Sequence, residues 1–241
     1  MPKHGKKYRE ALQKLEPERL YSPEEAVELV REMSYVNFDP TFEVHLRLGI
    51  DPRHADQNIR TTVGLPHGTG KTMRVLVFAQ GEAARAAEEA GADFVGSDEL
   101  VTRIDKEDFF DFDIAIATPD MMGKGVGRLG RKLGPRGLMP NPKSGTVVPA
   151  EDLPRTIAEV RGGRVEFRND RTGLLHVGVG KLSFGSEQLL ENIAALMDAV
   201  KTAKPSASKG VYVRSVTFTS TMAPGVPVNP SEAQTLAVNV A

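Results

Sequence analysis

Thr41-Phe-Glu-Val-His-Leu-Arg-Leu-Gly-Ile50 alternates without a break: Phe42, Val44, Leu46, Leu48 and Ile50 are apolar, and the five residues between and before them are not. A period of two predicts a strand with one buried and one polar face. The next apolar stretches have another texture. Val75-Leu-Val-Phe-Ala79, residues 93–95 and Ile114-Ala-Ile-Ala117 are short and carry no polar/apolar alternation, and an Ala- and Glu-rich helical segment at 82–90 separates the first two. Strand, helix, strand with unalternating strands predicts a small parallel sheet covered on both faces.

Alternation returns beyond Gly162-Gly163. Residues 164–168 and 174–179 flank Asp170-Arg-Thr-Gly173, a hairpin signal. An amphipathic helix at 188–203 stops at Lys204-Pro205, and a long strand is expected over 210–222. On that strand Tyr212, Val216, Phe218 and Met222 are assigned to one face, and Ser215, Thr217, Thr219 and Thr221 to the other. Upstream of the first strand, Ser22-Pro-Glu-Glu25 is a capping box with proline at the first helical position, followed by Ala26, Val27, Leu29, Val30 and Met33 at helical spacing. A second helix is read over 150–161 despite Pro154.

The two flanking blocks share a half-buried sheet style that the middle lacks. The expected organisation is a discontinuous α+β domain, 1–67 with 160–230, interrupted by an inserted α/β domain at 68–159. Paired crossings near Gly68 and Gly162 would form a hinge, and residues 231–241 are expected to be a mobile tail.

Composition narrows the function. The 241 residues hold 31 Lys plus Arg against 32 Asp plus Glu, 40% hydrophobic residues, and neither Cys nor Trp. The absence of Cys excludes disulfides, thiolate metal sites and a cysteine nucleophile. No apolar run nears the roughly 20 residues of a membrane helix, and the first residues carry no signal-peptide core, so a cytoplasmic protein is expected. The near-neutral balance hides patches. Residues 124–143 carry Lys124, Arg128, Arg131, Lys132, Arg136 and Lys143 with no acid, whereas residues 105–120 carry six acids against Lys106. Unopposed cations among glycines offer donors to phosphates.

Several motifs imitate known chemistry. Gly64-Leu-Pro-His-Gly-Thr-Gly-Lys-Thr72 resembles a phosphate-binding loop, but its first glycine stands one residue too early and the loop precedes a strand instead of following one. Gly125-Val-Gly-Arg-Leu-Gly130 fits a dinucleotide fingerprint, yet seven residues separate it from the preceding strand, and residues 132–144 hold no carboxylate for a ribose, the first being Glu151. Asp51, His54 and Asp56 lack a second imidazole at ligand spacing, and neither His45 nor His176 completes a nucleophile and base arrangement. A nucleotide-dependent enzyme using the inserted domain is the alternative function. A scaffold that meets an acidic protein through the basic run is another.

Three stretches resemble the ribosomal protein L-one family of the large subunit's mobile stalk: Leu129-Gly-Arg-Lys-Leu-Gly-Pro-Arg-Gly-Leu-Met-Pro-Asn-Pro-Lys-Ser-Gly-Thr146, Gly163-Arg-Val-Glu-Phe-Arg-Asn-Asp-Arg-Thr-Gly173 and Arg214-Ser-Val-Thr-Phe-Thr-Ser-Thr-Met222. Leu48-Gly-Ile-Asp-Pro52 and the first eight residues are similar too, so the resemblance reaches to about Pro230. It implies a discontinuous first domain with a Rossmann-like insertion and no bound cofactor. It also implies direct binding to large-subunit rRNA beside the exit site, a part in releasing deacylated tRNA, and repression of the protein's own operon through its mRNA. A single copy within the ribosome is expected, with no membrane partner.

Residue by residue, Phe38, Thr41 and Glu43 match the family pattern at the first strand, and Ser215, Thr221 and Met222 match it at the last. Thr219 belongs to the same hydroxyl stripe, and Arg164, Arg168 and Arg171 on or beside the hairpin are candidate phosphate contacts. Glu43 repels phosphates, so its use would be as an acceptor for 2′-hydroxyl or base N–H donors. Thr221 is expected to serve binding and to contribute little to folding. Ala223 stands where the family usually has glycine, a departure that matters if the position needs positive φ.

Overall fold

The computed structural model describes residues 4–236. The chain divides into two compact units, one made from residues up to Gly70 together with those from Val165 onward, the other Lys71–Arg164. In chain order the first unit opens with helices α1 (Lys6–Leu12) and α2 (Pro23–Met33) and strands β1 (Thr41–Leu48) and β2 (Arg60–Gly64). The second unit holds β3 (Val75–Phe78), α3 (Glu82–Glu89), β4 (Phe94–Gly96), α4 (Asp98–Glu107), β5 (Ile114–Ala117), α5 (Pro119–Lys124), α6 (Gly130–Leu133) and α7 (Leu153–Arg161). The first unit then resumes with β6 (Arg164–Arg168, whose first residue still groups with the second unit), β7 (Leu174–Lys181), α8 (Ser186–Thr202), β8 (Val213–Ser220), β9 (Val226–Val228) and α9 (Pro230–Thr235).

In the first unit the order is β7-β1-β8-β9, with a separate two-stranded pair β2-β6. β1 is antiparallel to both neighbours. Its alternation puts Phe42, Val44, Leu46 and Leu48 into the core beside Leu175, Val177, Val216 and Phe218, where the rings of Phe42 and Phe218 meet edge to face at 5.6 Å. α2 contributes Ala26, Val27, Val30 and Met33, and α8 contributes Leu189, Ile193, Leu196, Met197 and Val200 to this core. Each fully buried large apolar side chain is worth about 1.5–3 kcal/mol. The capping box of α2 forms as its sequence dictates: Ser22 Oγ accepts from the Glu25 amide, and the Glu25 carboxylate accepts from the Ser22 amide.

β1 ends two residues before the alternation does. The Gly49 amide donates to the Tyr212 carbonyl at 2.6 Å, and a Cβ at Gly49 would lie 2.1 Å from the Val211 carbonyl oxygen, so only glycine fits that crossing. Residues 164–179 do not form the expected hairpin. The turn is there, with the Asp170 carboxylate accepting from the Thr172 and Leu174 amides, but β6 pairs with β2 and β7 with β1. Asn169 diverts the chain by accepting from the Ile59 amide at 2.6 Å and donating to Asn58. Residues 231–235 are also not a loose tail: they lie in α9, with Ala233 buried in the core. Residues 237–241 of the expected tail lie outside the described residues.

The second unit is a parallel sheet of order β4-β3-β5. Val75 and Val77 face α3 and α7 through Ala87, Leu153, Ile157 and Val160. Leu76 and Phe78 face the other way, toward Leu100 and Ile104 of α4 and toward Met121, Leu129 and Leu133. Two covered faces explain why these strands are apolar throughout. Pro154 sits in the first turn of α7, where its missing N–H costs nothing.

Candidate nucleic-acid interface

The register of the first sheet assembles its polar face. Glu43 lies opposite Gly178 on β7 and Thr219 on β8, His45 opposite His176 and Thr217, and Arg47 opposite Leu174 and Ser215. Since alternate residues on β1 are committed to the core, the rest must share the other face. Thr41, Glu43, His45 and Arg47 therefore form a row flanked by Ser215, Thr217 and Thr219. The Thr219 hydroxyl reaches the Ala223 carbonyl at 3.1 Å.

At one end of this row three chain segments converge. Thr221 Oγ1 accepts from the Thr41 amide at 3.1 Å, and the Thr221 amide donates to the Thr41 carbonyl at 3.1 Å. Lys181, opposite Thr41 on β7, donates to Thr41 Oγ1 at 3.2 Å and to the Asp39 carbonyl at 3.3 Å. Met222 has φ of 72° and is 66% exposed, so it is not on the buried face assigned to it from alternation. The strand stops at Ser220, and the Tyr35 hydroxyl donates to the Met222 carbonyl at 2.5 Å. Phe38 is 56% exposed. Two exposed apolar side chains on the segments joined by the Thr41 and Thr221 bonds are suited to stacking on bases or riboses. The left-handed residue is Met222; Ala223 does not have positive φ, so its methyl group meets no such strain.

The three predicted arginines separate. Arg164 groups with the second unit, where it donates to Glu159 at 3.0 Å and to the Ser144 carbonyl at 3.1 Å. Arg168 and Arg171 are exposed around a depression that His176 and Asp170 also line. The Asp170 carboxyl is held below the usual range by the Thr172 hydroxyl, against the opposing effect of burial, with help from the Leu174 and Thr172 amides. Sequence reasoning missed Lys181, Arg47 and Arg214. Arg47 had a signal, being on the polar phase of β1. Arg214 had none, because a register shift between Arg47 and Leu48 makes it the extra residue of a bulge on β8. Among the described residues, no acceptor pairs with the guanidinium of Arg47, Arg168, Arg171 or Arg214.

The basic run of the second unit is partly neutralised by acids distant in sequence. Lys132 donates to Asp108 at 2.9 Å and to the Asp105 carbonyl, and the Arg136 guanidinium lies 3.6 Å from the Phe110 ring centroid. Lys124, Arg128, Arg131 and Lys143 have no side-chain acceptor among the described residues. The glycines of 125–130 begin short helical turns after α5 instead of a strand-to-helix phosphate turn. The loop resembling a phosphate cradle is stapled to α8: buried Asn192 accepts from the His67 amide at 3.0 Å and donates to the Gly68 carbonyl at 3.0 Å. Asp51 and His54 approach to 3.8 Å, and among the described residues no three His, Asp or Glu side chains gather as metal ligands.

The profile of the Ribosomal protein L1p/L10e family matches residues 30–224. The large ribosomal subunit protein uL1 of Chloroflexus aurantiacus is 74% identical over 236 residues, covering 98% of this chain and 99% of that protein. The uL1 of Chloroflexus aggregans is 72% identical over the same shares, and that of Thermomicrobium roseum is 59% identical over 95% of each chain.

Proposed function

Because this chain belongs to the Ribosomal protein L1p/L10e family, which makes it a structural, rRNA-binding component of the large ribosomal subunit and not an enzyme, we propose that the polar face of β7-β1-β8 is its rRNA-binding surface. The observation that carries this reading is the register that sets Thr41, Glu43, His45 and Arg47 in one row beside Ser215, Thr217 and Thr219. Phe38 and Met222 supply stacking surface at one end, with Thr41, Thr221 and Lys181 between them. Arg47, Arg168, Arg171 and Arg214 supply phosphate donors at the other. Hydroxyls and a carboxylate read the shape and 2′-hydroxyls of a folded RNA, whereas the arginines fix its backbone.

In this reading the first unit is a discontinuous RNA-binding domain and the second an inserted one. The RNA target is the stalk beside the exit site of the cytoplasmic ribosome, where the protein acts as a single copy. Lys124, Arg128, Arg131 and Lys143 are the groups of the second unit available to the phosphates of exit-site tRNA, whose release they would assist. An mRNA that folds like the rRNA site would fit the same strand face, which provides a route to repression of the protein's own operon.

The test is affinity for a stalk rRNA fragment and for an unrelated hairpin across a salt series. Preference for the stalk that survives rising salt, with a slope worth a few phosphates, is expected of shape recognition through the strands. Equal binding to both RNAs that collapses with salt would overturn the assignment.

A further inference from the structure

His45 and His176 stand opposite each other on β1 and β7, in the middle of the polar face. Their rings meet edge to face with centroids 4.8 Å apart, and their Nδ1 atoms are 2.8 Å apart. That separation needs one hydrogen between the two nitrogens: one Nδ1 donates and the other offers its lone pair. A pair joined in this way can take up one further proton, on a nitrogen outside the shared bond. A second would set two N–H groups against each other and break the contact.

The surroundings decide which ring donates. His45 Nε2 faces the Glu43 carboxylate at 3.6 Å, which favours hydrogen on Nε2 and leaves the His45 Nδ1 lone pair to accept. His176 then donates from Nδ1, and its Nε2 is the free position on the exposed ring. Protonation there strengthens the bond to His45, since the donor becomes charged. Burial, and next the neighbouring His176, hold the His45 pKa below the ordinary histidine value, against a smaller opposite pull from Glu43.

Glu43 on β1 and Asp170 in the turn favour an added proton, Glu166 on β6 is already paired with Arg60 on β2 at 2.6 Å, and Arg47 on β1 with Arg168 and Arg171 beside the turn opposes it. β8 presents only Thr217 to His45. A phosphate laid on this face would neutralise the arginines' opposition and add its own attraction. We propose that His45 and His176 are a one-proton contact point for the RNA backbone: the pair takes up a proton on binding, and His176 Nε2–H donates to a phosphate oxygen. This rests on the reading of the strand face as the RNA-binding surface, and it makes that surface sense pH.

The test is the affinity of the full chain for the stalk rRNA fragment at about pH 6 and about pH 8 at constant ionic strength, for the unsubstituted protein and for His176→Gln. Binding about three- to tenfold tighter at the lower pH is expected for the unsubstituted protein, and equal affinity at the two values for His176→Gln. Stalk preference without pH dependence, or pH dependence that survives in His176→Gln, would overturn the proposal and leave the strand face standing. Loss of stalk preference at both pH values would remove the strand face and the proposal together. Nitrogen-15 imidazole spectra of the unsubstituted protein provide a check free of any folding defect: His45 Nδ1 should stay unprotonated while the pair takes up its single proton, and two rings that gain protons independently would overturn the shared proton.

Discussion

Thr221 and Thr41 hold each other at both backbone positions: the Thr221 hydroxyl accepts from the Thr41 amide at 3.1 Å, and the Thr221 amide donates to the Thr41 carbonyl at 3.1 Å. The first bond is a side chain standing in for the partner that β8 no longer supplies after Ser220. Thr221 therefore serves the fold as well as the surface, contrary to the expectation from sequence. Thr221→Val should cost about 1–2 kcal/mol in urea denaturation, because the part-buried Thr41 amide loses its acceptor. Thr221→Ser should recover most of it. A Val variant as stable as the unsubstituted protein would mean that the Thr41 amide finds another acceptor.

Tyr212 gives the first unit an alkaline limit. Its ring is buried, its hydroxyl donates to the Val200 carbonyl at 3.1 Å, and burial pushes the phenol up to about 12. The folded value lies above the unfolded value of about 10, so this contribution to stability is full below about pH 10 and is lost as pH rises toward 12. Tyr212→Phe should lower stability at neutral pH by about 1 kcal/mol and make the decline between about pH 10 and 12 shallower. Parallel denaturation midpoints for the two proteins across that range would refute the assignment.

Asp113 sets an acid limit in the second unit. Burial pushes its carboxyl up, but the bond from Lys71 at 2.5 Å, the Arg74 amide at 3.1 Å, the Lys71 charge and the bond from the Arg74 guanidinium together hold it below the usual carboxylate range. A depressed folded value gives stability that is present above the unfolded pKa of about 4 and is lost as pH falls through the folded one. Asp113→Asn should destabilise this unit by about 1–2 kcal/mol at neutral pH and weaken its acid sensitivity. Thermal unfolding followed from about pH 7 down to pH 3 would show the two curves converging. Curves that keep their separation would place the acid sensitivity elsewhere.

Period and capping made much of this structure legible. The two periods of β1 and β3 separate a half-exposed sheet from a covered one, and Ser22 and Pro23 mark the start of α2. Thr41, Glu43 and Arg47 were on one face by alternation alone. Contacts remote in sequence were hidden. Local charge counting gave the basic run no acid, although Asp108 lies at the end of α4, where it meets Lys132. Arg164 and Arg168, four residues apart on one strand, looked equivalent, yet the first is tied to Glu159 and Ser144. The bulge that exposes Arg214 has no sequence period, because a bulge is an interruption of one.

The separation of cores leads to the last prediction. Phe42, Phe218, Ile193 and Met197 belong to one apolar cluster, and every member of that cluster lies outside residues 71–164. The parallel sheet has its own clusters on both faces, drawn wholly from within them. Neither core therefore needs a side chain from the other unit to be filled, and the loop at Gly68 is fixed within the first unit by Asn192. Replacing residues 71–163 by a short Gly-Ser linker should leave a cooperatively folding protein that still prefers stalk rRNA, and residues 71–164 alone should fold as well. Circular dichroism and a denaturation curve decide it. A non-cooperative transition in either product would mean that the covalent interruption is not a thermodynamic one, and that the two units share stability their separate cores do not reveal.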